Sequence, residues 1–309
     1  MDVGVVLNLT DRTPPITACV PALEERGFES VWLGEHTHLP VDSVFRYSTG
    51  KYSVGQKARD GYVPDFYKRM PDPYVSLAAA AAMTSRIRLG TCIALPAEHS
   101  PIALAKTIAT LDALSGGRFL FGIGYGWNAL EMRNNGFEYA DRRAVLREKI
   151  AAMKALWTQE TAGFDGEFVR FTESWSFPKP AHLPHPPVLL GAAATAATFD
   201  DVVGFADGWI PVRAFLGDSL GGKIAELRRT AEAAGRDPDT IAISLVDSEG
   251  AMGGKKSREE FAARLPGKDA LQRYAELGVG RVILGAPTTD LDFYLWAVDR
   301  LAELRDSLA

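Results

Sequence analysis

Histidines, carboxylates and two glycine-rich turns are the residues of this sequence that could do chemistry. His36 and His38 flank Thr37 directly after Glu35. An imidazole there could move a proton near neutral pH, with Glu35 tuning or orienting it. The His-x-His spacing also suits a metal, but zinc needs three or four ligands. The remaining histidines are His99, His182 and His185, the last two in a proline-rich connection, so the ligand count argues against a metal site. Gly122-Ile123-Gly124-Tyr125-Gly126 is a glycine-rich turn followed by Trp127 and Asn128. It departs from the G-x-G-x-x-G dinucleotide fingerprint, because Trp127 stands where the last glycine belongs. Free N–H groups there could still hold a phosphate ahead of a short helix, Asn128–Asn134. A second small-residue turn, Gly191-Ala192-Ala193-Ala194-Thr195, also precedes a helix. No G-x-S-x-G elbow occurs, and neither Cys19 nor Cys92 has a clear base partner. A strand-end imidazole, an anion cradle and no nucleophile or metal imply that a cofactor supplies the chemistry.

These residues need elements to position them. Apolar or β-branched runs recur at Val3–Leu9, Ser30–Glu35, Ile87–Leu95, Arg118–Gly124, Pro187–Gly191, Gly208–Val212, Thr240–Val246 and Arg281–Gly285. Most are continuous, as in strands buried on both faces of a parallel sheet. Helical patterns lie between them. Asp72-Pro73 and Ser100-Pro101 open helices with a cap residue and a proline, and Gly116-Gly117 closes one. Others cover Thr17–Arg26, Arg142–Thr158, Thr195–Ala206, Leu216–Ala234, Lys268–Leu277 and Leu291–Ser307. Eight strand–helix units predict an α/β fold, a (β/α)₈ TIM barrel forming one domain over 1–309. A doubly wound sheet with a second domain is the alternative, but no linker or composition break divides the chain. Three connections exceed simple loops: 37–71, 164–179 and 248–267. The middle one resembles a small extra hairpin. The first mixes Phe45, Tyr47, Tyr52, Tyr62, Phe66 and Tyr67 with several cations, as a lid or a solvated loop would. If function sits where strands end, His36 and both turns lie on one face of the barrel.

Composition narrows the function classes. The 309 residues carry 34 Lys+Arg against 39 Asp+Glu, a net charge of −5. That balance argues against nucleic acid and gives no attraction to an anionic membrane. The Met1-Asp2-Val3-Gly4 start lacks a basic segment and apolar run, so no signal peptide is expected. Only two cysteines occur, which fits a reducing, cytoplasmic location.

At this point the residues match a known family. Gly27–His36, Thr84–Thr91, Ala105–Phe119, Gly122–Trp127, Pro184–Gly191 and Ala206–Trp209 together resemble the bacterial luciferase-like flavin and deazaflavin oxidoreductases, in particular the branch using coenzyme F-420. The resemblance implies a barrel with the cofactor across its C-terminal mouth. It places His36 near the redox-active ring. It gives Thr91, Cys92 and Ile93 at the end of strand three, with a bulge and a non-prolyl cis peptide at Cys92-Ile93 backing the ring. It assigns Gly124, Tyr125, Gly126, Trp127 and Asn128, with Gly191, Ala192 and Ala193, to the phosphate region of the cofactor tail. The implied activity is hydride exchange with a small organic substrate. FMN is the alternative cofactor, in a reduced-FMN monooxygenase on the same barrel. A cofactor-binding protein without catalysis is a further alternative. The family pattern has two adjacent glycines after strand five, where this chain has Gly191-Ala192. Its sugar-phosphate dehydrogenases carry a tryptophan four residues after the histidine, where Pro40 stands, so a sugar phosphate is not expected. The resemblance also implies a homodimer through the helices after strands two and three. Ala79 and Ala82 on the first, and Ile102, Ala105, Ile108 and Ala109 on the second, would face the partner.

Overall fold

Strands and helices alternate along the chain in the computed structural model, which describes residues 1–43, 63–248 and 257–308. The strands are β1 (Asp2–Leu7), β2 (Ser30–Leu33), β3 (Arg88–Thr91), β4 (Phe119–Ile123), β5 (Thr161–Asp165), β6 (Arg170–Trp175), β7 (Val188–Leu190), β8 (Gly208–Trp209), β9 (Ala242–Asp247) and β10 (Arg281–Ala286). The helices are α1 (Ile16–Glu25), α2 (Pro73–Met83), α3 (Pro101–Ser115), α4 (Ala129–Asn134), α5 (Arg142–Thr158), α6 (Ala196–Phe205), α7 (Arg213–Leu216), α8 (Leu220–Ala233), α9 (Arg258–Ala262), α10 (Lys268–Glu276) and α11 (Leu291–Asp306). Eight strands close into a parallel barrel in the order β1-β10-β9-β8-β7-β4-β3-β2. β1 completes the ring by pairing Asp2 with Arg281 on one side and Gly4 with Ser30 on the other. This is the expected α/β TIM barrel. Among the described residues no helix is long and apolar enough to cross a membrane.

The continuous apolar runs serve two cores at once. Alternate side chains point inward, and Val6, Trp32, Leu120, Leu189, Ile210, Val246 and Ile283 fill the barrel, with Cys92, Ile93 and Val212 half-buried against them. The other set, including Val5, Leu33, Leu89 and Phe121, packs under the helices. Trp32 fits inside because Gly90 lacks a side chain, since a Cβ there would lie 2.3 Å from the indole.

Several expectations need correction. Strand three does not run on through Leu95 as regular ladder. Gly90 pairs with Leu120 and Ala94 with Ile123, so four steps along one strand face three along the other. That extra residue is the expected bulge, and Cys92-Ile93 within it is cis. The helix expected over Leu216–Ala234 is divided into α7 and α8 at Gly217, whose φ of 53° breaks the helical path. The 164–179 insertion is the antiparallel hairpin β5–β6. It belongs to a helix-to-strand connection, so it does not enter the mouth. Its tip is tied to the outside of α5, where Glu148 accepts N–H bonds from Glu167, Phe168 and Val169. On α3, Ala105, Ile108 and Ala109 turn into the core, and only Ile102 of the expected set is exposed. Phe45, Tyr47, Tyr52 and Tyr62 lie outside the described residues, as does 249–256 of the insertion after β9.

Candidate functional site

The barrel's C-terminal ends bring His36 together with a carboxylate from far along the chain. Asn128 caps α4, its Oδ1 accepting the N–H groups of Leu130 and Glu131. That fixes Glu131 in the first turn, aimed at the end of β2. Glu131 Oε2 meets His36 Nδ1 at 2.7 Å, and its Oε1 accepts the Thr37 N–H at 2.9 Å. Burial would raise the Glu131 carboxyl, but the hydrogen bond and charge of His36 outweigh it and hold it below the usual carboxylate range. An ionised carboxylate only accepts, so Nδ1 carries the hydrogen. Nε2 then has no hydrogen-bond partner among the described residues. The imidazole side chain is 5% exposed. Tyr67 and Trp127 cover it edge-on, with ring centroids at 5.1 and 5.4 Å.

Glu35 does not orient His36, contrary to expectation. Its side chain turns toward the next loop, where Oε2 accepts the Leu95 N–H at 2.6 Å and Oε1 meets His99 Nε2 at 2.7 Å. The Tyr74 hydroxyl from α2 is 3.4 Å away. Successive residues of an extended segment point to opposite sides. With His36 facing the mouth, Glu35 faces the loop after β3, and Glu131 takes the orienting role.

The other expected residues divide into floor, wall and scaffold. Ile93 and Cys92 lie at the top of the inner core. Burial pushes the Cys92 thiol up to about 12, which leaves no thiolate for nucleophilic work. Thr91 is fully buried and spends its hydroxyl on the Gly122 carbonyl at 2.7 Å, so its side chain does not reach the mouth. Gly124 and Gly191 are both small for the same neighbour. A Cβ at Gly124 would lie 1.9 Å from Ile93 Cδ1, and one at Gly191 2.5 Å from Ile93 Cγ2. Gly126 has a φ of 78°, which lets the turn reach Trp127. Tyr125 points away from the mouth and donates to Asp201. Asn128 is buried, with its amide on Ser43 Oγ at 2.8 Å. Ala192 packs against the outer core and its carbonyl accepts Trp209 Nε1 at 3.1 Å. Ala193 is exposed in the turn that leads to α6.

Sequence reasoning missed four participants. Glu131 and Glu98 stand behind His36, and Arg143 and Arg147 from α5 both bond Asp201, buried within α6. Two guanidiniums on one carboxylate leave positive charge near the turn after β7. The Glu131 signal was its place in the first turn after a capping Asn, a common place for an acid. Nothing local marks the arginines. Among the described residues no three His, Cys, Asp or Glu side chains converge as a metal would require.

Residues 7–248 match the family model described as luciferase-like monooxygenase. An uncharacterized protein of Mycobacterium tuberculosis, Rv0953c, is 42% identical over 305 residues, 98% of each chain. The F420-dependent hydroxymycolic acid dehydrogenase of the same organism is 29% identical over 77% of this chain and 60% of that protein. The FMNH(2)-dependent dimethylsulfone monooxygenase of Pseudomonas putida is 36% identical over 38% of this chain and 33% of its own. The monooxygenase RslO1 from Streptomyces bottropensis shares the fold, with a TM-score of 0.75 over the full length of both chains at 21% identity.

Proposed function

The chain belongs to the luciferase-like monooxygenase family, and on that premise we propose that it is an oxidoreductase exchanging a hydride between coenzyme F-420, a deazaflavin, and a small organic substrate. The observation that carries this reading is the His36 imidazole, locked by Glu131 on one nitrogen and unpartnered on the other among the described residues. The F420-dependent relative also aligns over twice as much of this chain as the FMNH(2)-dependent one.

The residues present fit such a group. A planar ring needs an apolar floor, and Cys92, Ile93 and Val212 offer one above the inner core. An anionic tail needs cations and unpaired N–H groups, and Arg143 stands beside the first turn of α6. When bound, the deazaflavin supplies a ring carbon that carries hydride and does not readily activate oxygen. His36 Nε2 then holds or takes the proton that the substrate's oxygen or nitrogen exchanges as hydride moves. Glu131 fixes the imidazole's plane and tautomer, so little reorganisation accompanies that transfer. Trp127 and Tyr67 exclude water from the imidazole edge.

Titrating the full-length protein with the deazaflavin and with FMN, read by tryptophan fluorescence, tests the reading. Binding of the deazaflavin, followed by turnover on ketones, enones or imines, is expected. Tight FMN binding with none of the deazaflavin would overturn it and leave the reduced-FMN monooxygenase reading in its place.

The protein is further read as one barrel domain over 1–309, working in the cytoplasm with neither nucleic acid nor membrane as partner, consistent with its net charge of −5. A two-fold homodimer is proposed through α2 and α3. Val75, Ala82 and Met83 on α2 and Ile102 and Leu114 on α3 are exposed. Exposed apolar side chains on two neighbouring helices are what such an interface would bury.

A further inference from the structure

Glu98 lies in the 3-10 turn Pro96–Glu98, packed between α4 and α5. It is 7% exposed. Its Oε2 accepts from Thr37 Oγ1 at 3.0 Å and from Asn135 Nδ2 at 3.4 Å. Its Oε1 is buried with no donor among the described residues. Thr37 Oγ1 also lies 3.3 Å from Glu131 Oε1, yet a hydroxyl has one hydrogen to give. Glu131, by contrast, receives His36 Nδ1–H and the Thr37 N–H in full. One buried carboxyl is rich in donors and its neighbour is starved of them. Burying an anion with an unmet oxygen is costly, so the starved member keeps a proton. Two buried carboxyls on one hydroxyl, each within the other's field, do not both ionise in a dry site.

We propose that Glu98 and Glu131 form a buried acid pair holding one proton between them, and that this pair is a proton and charge store behind His36. Both are positioning residues, because they act through the imidazole. When Nε2 carries a proton and releases it to a bound ligand, Glu131 loses the positive charge opposite it. The shared proton then moves from Glu98 to Glu131. The negative charge passes to Glu98, away from the mouth and toward Lys149. Lys149 Nζ donates to the Ala97 and His99 carbonyls at 2.5 and 2.7 Å and faces Glu98 electrostatically. No atom other than the proton changes partner. The reverse shift resets the pair when Nε2 is reprotonated.

Among the described residues the charged and titratable groups around Glu98 are few. Glu131 faces it from α4 and Lys149 from α5, while Glu35, His36, His38 and His99 surround it through the loops after β2 and β3. Burial first, then the charge of Glu131, raises the Glu98 carboxyl to about 9. Burial lowers Lys149 to about 8. The two can be separated, because only one disappears in Glu98→Gln.

The proposal rests on His36 as the ring-facing group only for its use in catalysis. Its tests read the cofactor-free, full-length protein, so binding of FMN instead of the deazaflavin would leave them standing. Infrared spectra near neutral pH are expected to show a protonated-carboxyl carbonyl band that Glu98→Gln removes and alkaline pH abolishes. The His36 ring resonance, identified by its loss in His36→Asn, is expected to show an alkaline step in the wild type that is missing in Glu98→Gln. If Glu98→Gln does not fold, Thr37→Val removes a donor to Glu98 and is expected to carry the band to higher pH. Identical carboxyl bands in wild type and Glu98→Gln would overturn the shared proton, as would a band unmoved by Thr37→Val. An alkaline His36 step that persists in Glu98→Gln would belong to Lys149 and would overturn the link to the imidazole.

Discussion

Replacing Glu98 by Gln tests the buried acid through stability alone, without substrate or cofactor. A carboxyl held at about 9 in the folded chain and at its ordinary 4.5 when unfolded binds a proton only in the fold between those values. The folded state then holds one proton more than the unfolded state, so stability is lost as pH rises through that window. The slope is about 1.4 kcal/mol per pH unit for a fully populated difference. Glutamine has the shape of the protonated acid and no such slope. From about pH 5 to about pH 8 the variant should gain on the wild type by up to about 4 kcal/mol, and by about half that if water reaches the pair. Lys149 has the opposite sign, because a depressed lysine makes stability rise with pH above about 8. His185, lowered mainly by burial, adds stability with rising pH on the acid side. His185 is common to the two proteins and cancels in the difference, whereas Lys149 loses the charge of Glu98 in the variant, so its contribution is kept apart by comparing the proteins below about pH 8. Urea unfolding of each protein across that range measures it. A difference that stays constant with pH would mean that Glu98 ionises as an ordinary carboxylate in the fold, and would refute the donor-count reasoning.

Three further outcomes follow from the geometry. Gly124→Ala places a Cβ against Ile93 Cδ1 and should cost about 1–3 kcal/mol, a loss that Ile93→Val, lacking that methyl, should partly restore in the double variant by urea unfolding. His36→Ala should lower turnover by on the order of 10²–10⁴-fold while circular dichroism keeps its native shape, and undiminished turnover would remove His36 from the reaction. Ala82→Arg, on the exposed face of α2, should give monomers by light scattering, whereas wild type already monomeric at micromolar concentration would refute the dimer.

The barrel was legible because its strands are hidden on both faces, which leaves unbroken runs such as Val3–Leu9 and Arg281–Gly285. His36 was legible because strand ends face the mouth. Its partner was not, since Glu131 lies 95 positions away and is aimed by the cap of α4. Alanine hid the face of α3. Ala105 and Ala109 suit either an interface or a core, and only the barrel's position shows that both turn inward.

The glycine turns show how one missing side chain can answer a demand that the sequence does not display. Gly124 and Gly191 suggested a backbone bared for phosphate, and in both places the missing Cβ is also room for Ile93. The bulge in strand three and the bare turns after β4 and β7 are therefore one device, in which an apolar side chain laid across two neighbouring strand ends makes the floor of the mouth. That device also alters the weight of Ala192. Its methyl packs against the outer core and its carbonyl is spent on Trp209, so the departure from a second glycine adds no obstacle above Ile93.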